Sequence, residues 1–148
     1  KRRLVKILRF IALGIAFSYF FVYFVWTEPV DIETQASFDH LVECAQRQGF
    51  TIKKPILRKA AVLVNWQHKR YSGATYPFGI IPFVPAIIEI VKPPVYAGLL
   101  THELGHVVDS EMLRFGHPLF NKYDLRYSSI EQFADVIGYE ILVGCRSL

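Results

Sequence analysis

Tyr96–Gly116 reads YAGLLTHELGHVVDSEMLRFG, and within it His102-Glu103-Leu104-Gly105-His106 has the form His-Glu-x-x-His. On a helix, residues i and i+4 share a face, so His102 and His106 can offer their imidazoles to one metal ion while Glu103 sits one position round. The flanking residues predict that helix. Pro93-Pro94 precedes it, apolar Leu99, Leu100, Leu104, Val107 and Val108 recur at helical spacing, and Gly116 followed by Pro118 is a stop signal. Two solvent-facing histidines on an ordinary helix would show the same spacing, so the reading needs a third ligand.

That ligand is sought in Ser128–Leu142, SSIEQFADVIGYEIL. Ile130, Phe133, Ala134, Ile137 and Ile141 follow a period of about 3.6, which places Glu131, Asp135, Gly138 and Leu142 on an adjacent stripe. Glu131 can then bind a metal while Asp135, one turn along, accepts the N–H of a ligating histidine. The competing role for Glu131 is a capping box, Ser128-x-x-Glu131, in which its carboxylate would serve a backbone amide.

The pair of motifs, HELGH and then Glu131-x-x-Ala134-Asp135-x-x-Gly138, resembles the gluzincin zinc metallopeptidases. It is most similar to the HtpX-like and CAAX-prenyl-protease family of membrane-associated peptidases, with a second similarity to the small ImmA-type peptidases. The resemblance runs from Leu99 to Leu142. It implies one Zn2+ held by His102, His106 and Glu131, with Glu103 as catalytic base and Asp135 orienting a ligand. It implies a protein or peptide substrate, and an α+β fold in which a small sheet packs on the HExxH helix and a C-terminal glutamate-bearing helix: a minimal zincin domain. HtpX-like proteins carry several membrane helices where this chain offers one, and ImmA-type proteins are soluble.

Composition is 52% hydrophobic and 15% aromatic, with much of the excess in Phe10–Trp26, 17 residues without a charge. Together with the flanking Leu4–Leu8 this approaches the ~20 residues that cross ~30 Å of hydrocarbon. A cleaved signal peptide and a buried core helix are the alternatives. The length of the run, its many Phe and Tyr, the lack of a small-residue cleavage site before Glu28 and the flanking cations favour a transmembrane signal anchor. Lys1, Arg2, Arg3, Lys6 and Arg9 precede the span and Glu28, Asp31 and Glu33 follow it, which predicts a cytoplasmic N-terminus and an extracytoplasmic domain. Five of the 17 Lys and Arg lie in residues 1–9, leaving 12 against 13 acids, so the remainder is near neutral and gives no case for nucleic-acid binding.

The expected organisation is a basic tail and anchor over 1–26, a connector over 27–36 and a metallopeptidase domain over 37–148. Ser37 is a candidate N-cap for a helix ending near Gln48, with Gly49 as its stop, Phe38, Leu41, Val42 and Ala45 as its buried stripe, and His40 at the surface. Thr51–Leu57, Ala61–Trp66 and Ala86–Val91 read as strands of a small sheet. The resemblance suggests Ala86–Val91 as the edge on which an extended substrate adds, the other reading being an ordinary buried strand. Tyr76–Pro85, apolar but broken by three prolines and Gly79, must be buried, cover a cleft or touch the bilayer. His68 reads as loop.

Peptide hydrolysis also needs a donor for the developing oxyanion, and His117, Tyr123, Tyr127 and Tyr139 are the candidates. Cys44 and Cys145, 101 positions apart, are feasible disulfide partners in an oxidising compartment, and neither has the spacing of a CxxC zinc site. A zinc-containing but non-catalytic membrane-anchored binding or assembly module is the rival to an enzyme. An intramembrane protease is disfavoured because the metal-site helix carries Asp109, Glu111 and Arg114.

Overall fold

A computed structural model describes residues 2–60, 63–64, 70–76, 84–91, 96–115 and 129–146. The N-terminal apolar run forms helix α1, Arg2–Phe20, and widens into a π-helical segment, Phe21–Trp26. Val5–Trp26 is long and apolar enough to cross a membrane, and none of it is buried. At ~1.5 Å per residue its 22 residues extend about 33 Å. Phe20 and Phe24 pack one turn apart on its surface, ring centroids 4.8 Å apart.

The carbonyls at the end of this helix find a partner in the sheet. Strand β1, Thr27–Pro29, pairs antiparallel with β2, Ile56–Ala60, and Arg58 of β2 is 9% exposed. Its Nη2 donates to the carbonyls of Tyr23 at 2.7 Å and Thr27 at 2.8 Å, and its Nε to Thr27 Oγ1 at 3.0 Å. The guanidinium also lies over the Tyr23 ring, 4.5 Å from the centroid. The cation thereby serves groups that a helix C-terminus leaves open.

The expected connector over 27–36 is therefore structured. Thr27–Pro29 belongs to the sheet, and helix α2 spans Ile32–Arg47, beginning five residues before Ser37. Its N-cap is Asp31, whose side chain accepts from the Thr34 amide at 2.8 Å, while Ser37 lies inside the helix. Asp is as good a cap as Ser, and its carboxylate also favours the positive end of the helix dipole. Gly49 ends the turn after α2 at φ +93°, where a side chain would be strained.

Short strands β3, Leu63–Val64, and β4, Arg70–Tyr71, pair with each other. The main sheet is completed by β5, Gly73–Tyr76, and β6, Ile87–Val91, in the order β1-β2-β6-β5. β6 pairs parallel with β2 and antiparallel with β5, so it lies inside the sheet and has no free edge. That corrects the expectation that Ala86–Val91 is the substrate-binding edge. Five residues with four isoleucine or valine side chains, buried on both faces, are the pattern of an internal strand. β5 holds the edge instead, beside the helix that follows β6.

Helices α3, Ala97–Phe115, and α4, Ile130–Arg146, pack against one another. Ile88 and Ile90 point from β6 into a core with Phe38, Leu41, Val42 and Ala45 of α2, Leu100, Leu104, Val107 and Val108 of α3, and Phe133, Ile137 and Ile141 of α4. A disulfide joins Cys44 of α2 to Cys145 of α4, Cα to Cα 5.7 Å. The Gln48 side-chain amide donates to the Ile141 carbonyl at 3.1 Å beside it. The protein is thus α+β, with one N-terminal apolar helix and a small mixed sheet covered by three helices.

Candidate metal centre

The geometry of the site follows from how closely α3 and α4 approach. Gly105, the fourth residue of HELGH, faces the backbone of Ala134, and a Cβ built on it would stand 2.7 Å from Ala134 Cα. Gly138 faces the first turns of α3, where a Cβ would stand 2.7 Å from the Thr101 carbonyl oxygen and 2.8 Å from the His102 nitrogen. Real Cβ atoms do not tolerate such separations, so both glycines are requirements of the helix contact. Leu104 and Ala134, neither exposed, fill the seam between them. The helices consequently run near enough for carboxylates of α4 to reach imidazoles of α3.

Glu131 does reach them. Its Oε2 lies 3.4 Å from His102 Nε2 and its Oε1 3.7 Å from His106 Nε2. One ligand atom from each of His102, His106 and Glu131 falls within 4.8 Å of the others, and the two rings stand nearly perpendicular, 4.8 Å between centroids. Among the described residues Glu131 caps no backbone amide. The cap is Ser129, whose Oγ accepts from the Gln132 amide at 3.1 Å, one residue later than the expected Ser128. Ser128 lies outside the described residues.

His102 Nδ1 is 2.7 Å from Asp135 Oδ1. With Nδ1–H donating to that carboxylate, the tautomer is fixed and the Nε2 lone pair is left toward Glu131 and His106. His106 is half-buried, and burial is the main influence lowering its pKa. Glu131 opposes that shift, His102 reinforces it, and Asp135 opposes it more weakly. A histidine kept neutral in this way retains a lone pair to give to a cation.

Glu103 enters the contact between α3 and β5 and stays within electrostatic reach of His102 and Glu131. It is buried, and burial raises its pKa; a hydrogen bond from Thr75 and the proximity of His102 counter the shift, while Glu131 adds to it. Thr75 Oγ1 donates to Glu103 Oε2 at 2.7 Å. Gly73, two residues earlier on the same face of β5, lies under the other oxygen, where a Cβ would stand 2.5 Å from Oε1.

Of the remaining candidates, Tyr139 is exposed on α4 and lines a cavity of about 180 Å³ with His102, Asp135, Gly98, Thr101, Gly138 and Leu142. That cavity meets His102 from the Asp135 side and is not lined by His106 or Glu131. His117, Tyr123, Tyr127 and His68 lie outside the described residues, as does Pro77–Phe83 of the apolar proline-containing segment. His40 is exposed on α2.

Sequence reading missed Thr75 and Gly73, and it named Gly105 and Gly138 in the motifs without their packing role. The two helical glycines had a signal: a glycine in the interior of a predicted helix carries a cost that close packing explains. Thr75 had none, since β5 is only four residues long and begins with Gly73-Ala74, which are weak strand formers. No protein-family model, curated protein or solved structure matches this chain.

Proposed function

We propose that this chain is a membrane-anchored zinc metallopeptidase of the gluzincin type, an endopeptidase acting on protein or peptide substrates. The observation that carries the reading is the convergence of His102, His106 and Glu131 from two helices onto one point, with His102 oriented by Asp135. Two imidazole nitrogens and one carboxylate are a donor set that suits zinc and leaves a fourth position for water. An ordinary surface cluster has no reason to include a histidine locked in the ligand tautomer.

His102, His106 and Glu131 would hold the ion. Bound zinc supplies Lewis-acid chemistry, polarising a carbonyl oxygen and lowering the pKa of water. Glu103 is the general base, taking the proton of the attacking water and returning it to the leaving amine. Burial, which raises its proton affinity, moves it toward the range in which a carboxylate does both. β5 pairs with β6 along one edge, and no strand pairs with the other among the described residues, so an extended substrate has a place to add beside Glu103.

The anchor reading rests on Val5–Trp26, and the sidedness on the cations before that span and the acids after it. The Cys44–Cys145 disulfide supports the same placement, an extracytoplasmic domain with a cytoplasmic N-terminus, because disulfides persist in oxidising compartments.

The test is elemental analysis of the full chain purified in detergent, wild type beside Glu131→Ala and Glu103→Ala, with cleavage of an unfolded protein followed in the same samples. One zinc in wild type and Glu103→Ala, its loss in Glu131→Ala, and cleavage by wild type alone are the expected results. Stoichiometric zinc with no cleavage by any sample would replace this reading by a zinc-containing binding or assembly module. Wild type that takes up no zinc on reconstitution would end both.

A further inference from the structure

We infer that Thr75 is the positioning residue for Glu103, an inference that rests on the metallopeptidase reading and adds β5 to its working parts. The Glu103 carboxylate is buried in a socket with two walls. Thr75 Oγ1 binds one oxygen, Oε2, at 2.7 Å and lies 3.2 Å from the Glu103 carbonyl oxygen. Gly73 forms the second wall by what it lacks: a Cβ there would stand 2.5 Å from Oε1 and 3.0 Å from Cδ. Among the described residues no other group hydrogen-bonds that carboxylate.

The chemistry of the pair follows from these contacts. A threonine hydroxyl has one proton to donate, and giving it to Oε2 leaves Oε1 as the oxygen able to accept another. Thr75 therefore fixes both the rotamer of Glu103 and which of its oxygens receives the proton. A valine would keep the shape and the strand preference but leave a buried carboxylate oxygen unpaired, free to turn toward any donor. Positions i and i+2 on one strand face are needed together, and β5 supplies them at the edge nearest α3.

The experiment uses full-length, zinc-loaded protein carrying Thr75→Val, Thr75→Ser or Gly73→Ala, and compares kcat, KM, zinc content and the crystal structure of each. Thr75→Val is expected to lower kcat roughly 10- to 100-fold, the size of effect that misplacing a reacting group produces, with KM within about twofold and one zinc retained. Thr75→Ser restores the hydroxyl and should recover most of that loss. Gly73→Ala, which crowds Oε1, should lower kcat by roughly tenfold. In the Thr75→Val crystal the Glu103 carboxylate leaves β5, and in Thr75→Ser it stays.

Thr75→Val with wild-type kcat, or an unmoved Glu103 carboxylate in its crystal, overturns the inference. So does a Thr75→Ser protein as impaired as Thr75→Val, since the hydroxyl would then not be the cause. Glu103→Gln in the same assay separates the two claims. If it is inactive while Thr75→Val runs at full rate, only the positioning role fails; if it cleaves as wild type does, Glu103 is not the base and both fall.

Discussion

Two polar clusters in this molecule are built in opposite ways. At the foot of the apolar helix, Arg58 is buried and every contact it makes is internal: two backbone carbonyls, a threonine hydroxyl and a tyrosine face. At the α3–α4 seam, His102 and His106 point lone pairs at a carboxylate that is 73% exposed on its side chain, with a second carboxylate, 72% exposed, behind. The first cluster is consumed in holding the fold. The second adds little to the fold, because such exposed carboxylates contribute almost nothing to stability. Polar groups brought together without an internal return are what a ligand site looks like before its ligand.

The largest expected effect tests what holds the second cluster in place. If the exposed carboxylates do not fix α4, other contacts must: its buried Phe133, Ile137 and Ile141, and the Cys44–Cys145 disulfide with the neighbouring Gln48 to Ile141 hydrogen bond. Replacing both cysteines by serine should lower the unfolding free energy by about 4.7 kcal/mol, the chain-entropy value for a loop of this length. Chemical denaturation in detergent measures it. A loss under about 1 kcal/mol would mean that the α3–α4 seam holds itself together through Gly105 and Gly138.

Next come paired substitutions that should give crossed results. Arg58→Met removes the guanidinium that donates to the Tyr23 and Thr27 carbonyls and should cost about 3 kcal/mol while zinc stoichiometry is unchanged. Glu131→Gln should change stability by less than about 0.5 kcal/mol and abolish zinc binding. A Glu131→Gln protein that is itself strongly destabilised would erase the contrast between the clusters.

Glu89 complicates the picture in an informative way. It sits beside Arg58 in register on the neighbouring strand, fully buried, with Oε1 lacking a hydrogen bond among the described residues and Tyr76 3.3 Å from Oε2. Burial pushes its pKa up from 4.5 to about 7, the Tyr76 hydrogen bond opposing. Its folded pKa is raised, so the native state keeps a proton that the unfolded chain releases above pH 4.5, and stability falls as pH rises toward 7. The full shift converts to about 3 kcal/mol, most of it lost between pH 5 and pH 8. Glu89→Gln should flatten that slope in denaturation curves taken at pH 5 and pH 8. An unchanged slope would mean that Glu89 is ionised and paired in solution.

The two clusters also differed in how far the sequence announced them. His102, His106, Glu131 and Asp135 were legible because helix periodicity is strict: once two segments are helical, spacing alone puts four side chains on facing stripes. The apolar span was legible for the same reason, being a property of composition within one segment. Arg58 was not, because its partners lie 31 and 35 residues away, one in a three-residue strand that reads as linker and the other in the apolar helix. β6 was found but misplaced in the sheet, since strand order depends on which segments pair, and β5 is too short and glycine-containing to declare itself. Local periodicity carries well from sequence; pairing between distant short strands does not.

The smallest effect is the most discriminating, because it asks whether the poised cluster has an internal order. Asp135 has one visible task, accepting from His102 Nδ1 at 2.7 Å, and it does so from an exposed position. Partners of this kind are worth roughly 10- to 100-fold in metal affinity, and water screens an exposed carboxylate, so Asp135→Asn should fall at the low end, weakening zinc roughly tenfold, or about 1.4 kcal/mol. Asn can still accept from Nδ1–H, so the tautomer survives; what is lost is the negative charge that makes Nε2 a better donor to a cation. Competition with a chelator measures the change, and raising the salt concentration should narrow the gap between wild type and variant, since screening acts on that charge alone. Asp135→Ala removes the acceptor as well and should cost more. If Asn and Ala behave alike, the contribution is purely electrostatic and the hydrogen bond does not order the ring; if neither changes affinity, His102 is held by its helix packing and Asp135 answers to something other than the metal.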